Sequence, residues 1–136
     1  MKILLVNKYF NMHGGSETYF FGLADLLRQA GHEVISFAMQ DEKNLPCEQS
    51  AYFVSNVEFN GELTAAQKLK AAFRMVYSFE AKKKISALIE KEKPDIIHIN
   101  LFHRVLTASI VDAAKKHGIP VVFTMHDLNC VCPNHV

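Results

Sequence analysis

A four-residue apolar run, Ile3-Leu4-Leu5-Val6, opens the chain with polar residues on both sides. So short a run without alternation is the pattern of a strand covered on both faces. Strands of that kind belong to parallel sheets, and a parallel sheet needs helical crossovers. The rest of the sequence supplies them. Tyr19, Phe20, Leu23, Leu26, Leu27 and Ala30 recur at three- and four-residue steps, which predicts a helix with Ser16 as N-cap and Glu17 in its first turn. Gly31 suits the position just past its end. Residues 33–38 follow as a second strand, residues 95–99 as a third and residues 121–125 as a fourth, beside 2–7 as the first. The repeated alternation of strand and helix predicts a doubly wound α/β fold, its sheet mainly parallel, with helices on both faces.

Between these strands the pattern varies. Residues 39–60 read mostly as loop, with Tyr52-Phe53-Val54 as a candidate short strand. From Thr64 to Glu92 the periodicity is helical, and Leu69, Phe73, Val76, Ile85, Leu88 and Ile89 are the candidate buried positions. The run Lys82-Lys83-Lys84 inside it reads as a solvated face or a kink between two helices; its functional alternative is a peripheral contact with an anionic membrane. Val105 to Lys116 is expected to be a helix, closed by Gly118.

Composition narrows the function. With 136 residues one domain is expected, and 49% hydrophobic residues exclude disorder. Fifteen Lys and Arg against 14 Asp and Glu leave a net charge of +1, which argues against a nucleic-acid partner held by bulk electrostatics. Three cysteines without a disulfide-framework spacing, and an N-terminal run too short for a signal or membrane segment, point to the cytoplasm.

In open α/β sheets ligands bind beyond the carboxyl ends of the strands. His13, Gly14, Gly15 and Glu17 follow the first strand; His98, Asn100 and His103 close the third; His126 and Asp127 close the last. A parallel sheet brings all three sets to one rim. Gly14 and Gly15 at a helix start can offer backbone N–H groups to an anion, or serve only as a flexible turn. Glu17 can accept from a ligand hydroxyl or complement the helix dipole. His98 is either a core histidine or a site residue, and His126 beside Asp127 can hold a set tautomer toward an incoming oxygen. Neither a dinucleotide G-x-G-x-x-G nor a Walker loop is present, which disfavours an oxidoreductase. Cys130 and Cys132, with His126 and His135 nearby, lack the usual zinc spacing, so no metal is expected.

Gly14-Gly15-Ser16-Glu17, Ala30-Gly31-His32-Glu33-Val34, Pro94-Asp95-Ile96-Ile97-His98 and Gly118-Ile119-Pro120-Val121-Val122 with Thr124-Met125-His126-Asp127 stand in this order. Together they resemble the N-terminal lobe of family-4-type retaining glycosyltransferases of the GT-B fold, a Rossmann-like lobe. Cys130-Val131-Cys132-Pro133-Asn134 resembles the loop that follows in one bacterial branch. The resemblance covers residues 1–38 and 94–136.

It implies an acceptor-binding lobe facing a second, nucleotide-sugar lobe absent from this chain, so that residues 1–136 would be a fragment of a longer protein, inactive alone. It further implies sugar transfer to a glycan or lipid-linked acceptor in bacterial polysaccharide assembly, with no bound metal. His98, Asn100 and His126 would be the catalytic residues; Gly14, Gly15, Glu17, His103 and Asp127 would bind substrate. Asn100 stands where the family commonly has a second histidine in His-x-His, and His103 is a candidate substitute for it. The alternative is a non-catalytic module that binds a sugar or an anion in the same crevice.

Overall fold

The computed structural model describes residues 1–56 and 64–126. Among the described residues four strands, β1 (Lys2–Val6), β2 (Glu33–Phe37), β3 (Ile96–Ile99) and β4 (Val121–Phe123), form one sheet in the order β2-β1-β3-β4. Every pairing is parallel, with Leu4 opposite Ile35 on one side and Ile97 on the other. The strands fall where the apolar runs predict them, to within two residues at each end.

Side-chain alternation divides the core in two. Leu4, Val6, Ile97 and Ile99 face one way and pack under α3 (Phe79–Glu92) and α4 (Ser109–Lys116), where Ile85, Leu88 and Ile110 are fully buried. Ile3 and Leu5 face the other way and meet Phe20 and Ala24 of α1 (Gly15–Gln29). Helices therefore lie on both faces. β4 is half covered, with Val122 45% exposed on the α1 side of the sheet.

Several local expectations are corrected. α1 starts one residue before Ser16: its N-cap is Gly14, without a side-chain cap, and the Thr18 N–H donates to the Gly14 carbonyl at 3.1 Å. The chain enters the helix here because Gly14 is extended and the buried carboxylate of Glu17 pins the first turn to Asn7. Residues 48–52 form a short 3-10 helix, and Val54 makes only a single parallel bridge to Met39.

The helical stretch after Thr64 is two helices, α2 (Ala65–Val76) and α3, broken at Tyr77-Ser78. Ile85, Leu88 and Ile89 are buried as expected, but Leu69, Phe73 and Val76 are 61%, 69% and 77% exposed, because α2 projects from the core rather than packing on it. α4 begins only at Ser109. Arg104 and Thr107 have φ of 71° and 58°, a left-handed backbone that prevents an earlier start, although Val105 and Leu106 are still buried. Gly31 (φ 84°) and Gly118 (φ 68°) end their helices as left-handed residues.

Candidate active site at the carboxyl ends of the strands

Val6 and Ile99 are register partners, so Asn7 and Asn100 leave the sheet side by side. The chain runs to β2 on one side of β1 and to β3 on the other, which makes this the point where strand order reverses. Both asparagines are buried, at 0% and 1% exposure. The Asn100 N–H donates to the Val6 carbonyl at 2.8 Å. Its side-chain oxygen accepts from His126 Nε2 at 3.3 Å, and its Nδ2 has no partner among the described residues. Asn7 donates to the Tyr9 carbonyl (2.8 Å) and to Glu17 Oε1 (3.1 Å), and its Oδ1 likewise has no partner. A buried polar atom left unpaired costs about 1–3 kcal/mol.

His98 lies on the α1 side of β3, half-buried, and shares a 2.7 Å hydrogen bond with Thr124 Oγ1 at the end of β4. Burial pushes the His98 pKa below its ordinary 6.5, and neighbouring His126 adds to the effect. His98 is thus neutral at pH 7. His126 is exposed, and its ring meets that of Tyr19 of α1 in a T-shaped contact, with centroids 4.9 Å apart. His98, Asn100, His126, Thr124 and Tyr19 form one group, fed by β3, β4 and α1.

Gly14 and Gly15 are exposed beside it at the start of α1. Gly14 has φ −167°, an extended conformation open to any residue, and a Cβ on Gly15 would meet nothing within 4 Å. A Cβ on Gly14 would sit 3.4 Å from Glu17 Oε2, so it is Gly15 that the fold does not require and that leaves space at the helix N-terminus. Glu17 is 2% exposed and turned inward to Asn7.

Across the β1–β3 crevice, Lys8, Tyr9 and His13 of one loop and Arg104 of the other line a cleft of about 340 Å³ together with Asp41. His13 stacks on Tyr9 at 4.5 Å. His103 packs against Phe102, with ring centroids 4.6 Å apart. Asp127, Cys130, Cys132 and His135 lie outside the described residues, and among the described residues no cluster of three metal-ligating side chains occurs.

Asn7, Thr124 and Tyr19 are the residues that sequence reasoning passed over. The first two carry a legible signal, a polar side chain placed directly after an apolar run. Tyr19 had none, since its spacing reads as an ordinary helix face.

A family profile described as Glycosyltransferase Family 4 matches residues 13–131. The match includes residues 39–93, which the motif resemblance left uncovered. A search of curated proteins finds no match. With the four motifs in order, the parallel sheet and a profile spanning most of its length, the chain belongs to glycosyltransferase family 4, as an N-terminal lobe of that family's type.

Proposed function

We propose that this lobe holds the acceptor of a retaining, nucleotide-sugar-dependent glycosyltransferase, acting in the bacterial cytoplasm on a glycan or lipid-linked acceptor. The observation that carries the reading is the buried Asn100 amide, bonded to His126 through its oxygen and without a partner at Nδ2 among the described residues, where strand order reverses.

In this mechanism the unpaired Asn100 amide and neutral His98 receive sugar hydroxyls, and His126 faces the incoming acceptor oxygen. The exposed N–H groups at Gly14 and Gly15, helped by the α1 dipole, approach the donor diphosphate. Its leaving phosphate oxygen takes the acceptor proton, so no metal is required. Glu17 acts through Asn7 rather than on the sugar itself, and His103 and Asp127 serve as further substrate-binding residues. The nucleotide is gripped by a second lobe.

The test is transfer by the protein carrying both lobes, with the product anomer read by NMR. Retained configuration is expected, together with a fall in kcat for Asn100→Ala and His126→Ala of about 10²-fold or more. Sugar binding without transfer would favour the module that only recognises a sugar or anion. Inverted configuration would refute the retaining mechanism.

A further inference from the structure

The cleft between the loops after β1 and β3 holds two cations that the reaction described above does not use. Lys8 lies over the Tyr9 ring, its Nζ 4.7 Å from the centroid, and Arg104 is exposed on the facing loop. Neither has an ion-pair partner among the described residues. Two cations that converge on one concavity raise its attraction for anions.

The backbones that carry them are held. The Met39 N–H donates to the Lys8 carbonyl at 3.0 Å, and Asn7 Nδ2 donates to the Tyr9 carbonyl at 2.8 Å. On the other loop the Leu106 and Thr107 N–H groups both donate to the Phe102 carbonyl, at 3.2 and 3.0 Å, and buried Val105 and Leu106 anchor the turn. Arg104 sits inside that turn at φ 71°, a left-handed conformation uncommon outside glycine. Side chains mounted on fixed loops have less freedom to lose when a ligand arrives.

The remaining wall narrows what kind of anion fits. Tyr9 and His13 stack with centroids 4.5 Å apart and 22° between their planes, which makes a flat aromatic face. Asp41 Oδ1 accepts from the Lys43 N–H at 2.8 Å, which leaves Oδ2 for a ligand hydroxyl. The volume, about 340 Å³, stands at the small end of small-molecule sites and suits a single sugar unit. Met39 and Val105, also in the lining, belong to the core under α3 and α4, whereas Gly14 and Gly15 open α1 on the opposite face of the sheet. A diphosphate at the start of α1 would therefore leave these cations unused.

We propose that this cleft takes an acidic sugar unit of the acceptor. Lys8 and Arg104 hold its carboxylate or phosphate, the stacked Tyr9 and His13 rings cover its apolar face, and Asp41 accepts from a hydroxyl. The proposal rests on the reading of this lobe as the acceptor side, and it narrows the acceptor to an anionic one.

Nitrogen-15 NMR titration of residues 1–136 decides it, with methyl glucuronide, glucose 1-phosphate, methyl glucoside and inorganic phosphate as probes. The two acids are expected to shift the amides of Lys8, Tyr9, His13 and Arg104, less as salt rises, and the neutral glucoside to leave them in place. The tighter of the two acids identifies the anion as carboxylate or phosphate. Arg104→Gln and Lys8→Gln should each weaken that acid roughly tenfold or more, the loss of one charge-assisted hydrogen bond, with the spectrum elsewhere unchanged. Lys115→Gln, exposed in the last turn of α4, should change nothing. Equal shifts from the neutral glucoside, no shift from either acid, or a Lys115→Gln loss as large as that of Arg104→Gln would overturn the proposal. So would inorganic phosphate binding as tightly as glucose 1-phosphate, since the sugar would then contribute nothing. Shifts from methyl glucoside at Asn100 and His126, with the cleft silent to every probe, would refute the acidic unit and leave the acceptor reading standing.

Discussion

A histidine held neutral inside a fold makes stability depend on pH in one direction. Unfolded His98 takes up a proton near the ordinary 6.5, while the folded side chain resists it, chiefly through burial and then through His126. The unfolded state therefore binds more protons as pH falls below about 6.5, and the native state loses ground there but not above. His98→Gln should flatten that part of the stability profile, read from urea midpoints taken above and below pH 6.5. Thr124→Val tests the other face of the ring. It removes the 2.7 Å partner of Nε2, and the NMR titration of His98 should move while the fold persists. At Gly15 the open space around the missing Cβ makes a separate prediction. Gly15→Val should leave the melting temperature within a few degrees, valine being no poorer a helix former than glycine, yet impair transfer by the protein carrying both lobes.

At the level of elements, the junction between α2 and α3 is pinned by a buried polar knot. Ser109 Oγ donates to the Ser78 carbonyl at 2.8 Å and accepts from Thr107 Oγ1 at 2.9 Å. Ser109→Ala leaves these groups short of a partner and should cost about 1–3 kcal/mol in urea unfolding. Leu88→Ala, in the packed face of α3, should cost more, about 2–5 kcal/mol. Glu80 depends on acidity in the opposite sense from His98. Its burial works to raise its pKa, but hydrogen bonds from Ser55, with Lys84 and Arg74, outweigh burial and hold it below 4.5. Glu80→Gln should weaken the fold at neutral pH, and the difference should vanish as pH falls through the lowered pKa. These contacts were not legible in the sequence. Leu69-Phe73-Val76 and Ile85-Leu88-Ile89 show similar helical spacing, and periodicity reports that a helix has an apolar face without saying what that face meets. The Lys82–Lys84 run divides for the same reason, Lys82 bonding Tyr77, Lys84 the Phe53 carbonyl, and Lys83 standing in solvent.

Across the whole molecule, what could be read in advance was the sheet and its rim. Each interior strand announces itself by an apolar run, and parallel pairing then sends every strand end to the same side. Which strand-end groups touch depends on strand order, and no local pattern encodes that β1 lies between β2 and β3. The pairing of Asn7 with Asn100 stayed hidden for this reason. A lobe whose donor contacts are only the exposed amides of one helix start gains roughly 0.3–1 kcal/mol from an anion there. That falls well short of the roughly 8 kcal/mol of a micromolar complex. Calorimetry with a nucleoside diphosphate and residues 1–136 should therefore show no micromolar binding, and a micromolar constant would place the nucleotide site in this lobe. The central position of β1 also bears on synthesis at the ribosome. Ile3 pairs with Val34 on one side but with Ile96 on the other. The first partner emerges early; the second follows only after about 60 further residues, roughly 3–12 s of translation. For that interval the nascent chain exposes an unprotected apolar edge, so a product truncated before β3 should aggregate, and holding chaperones should bind the growing polypeptide most strongly within that window.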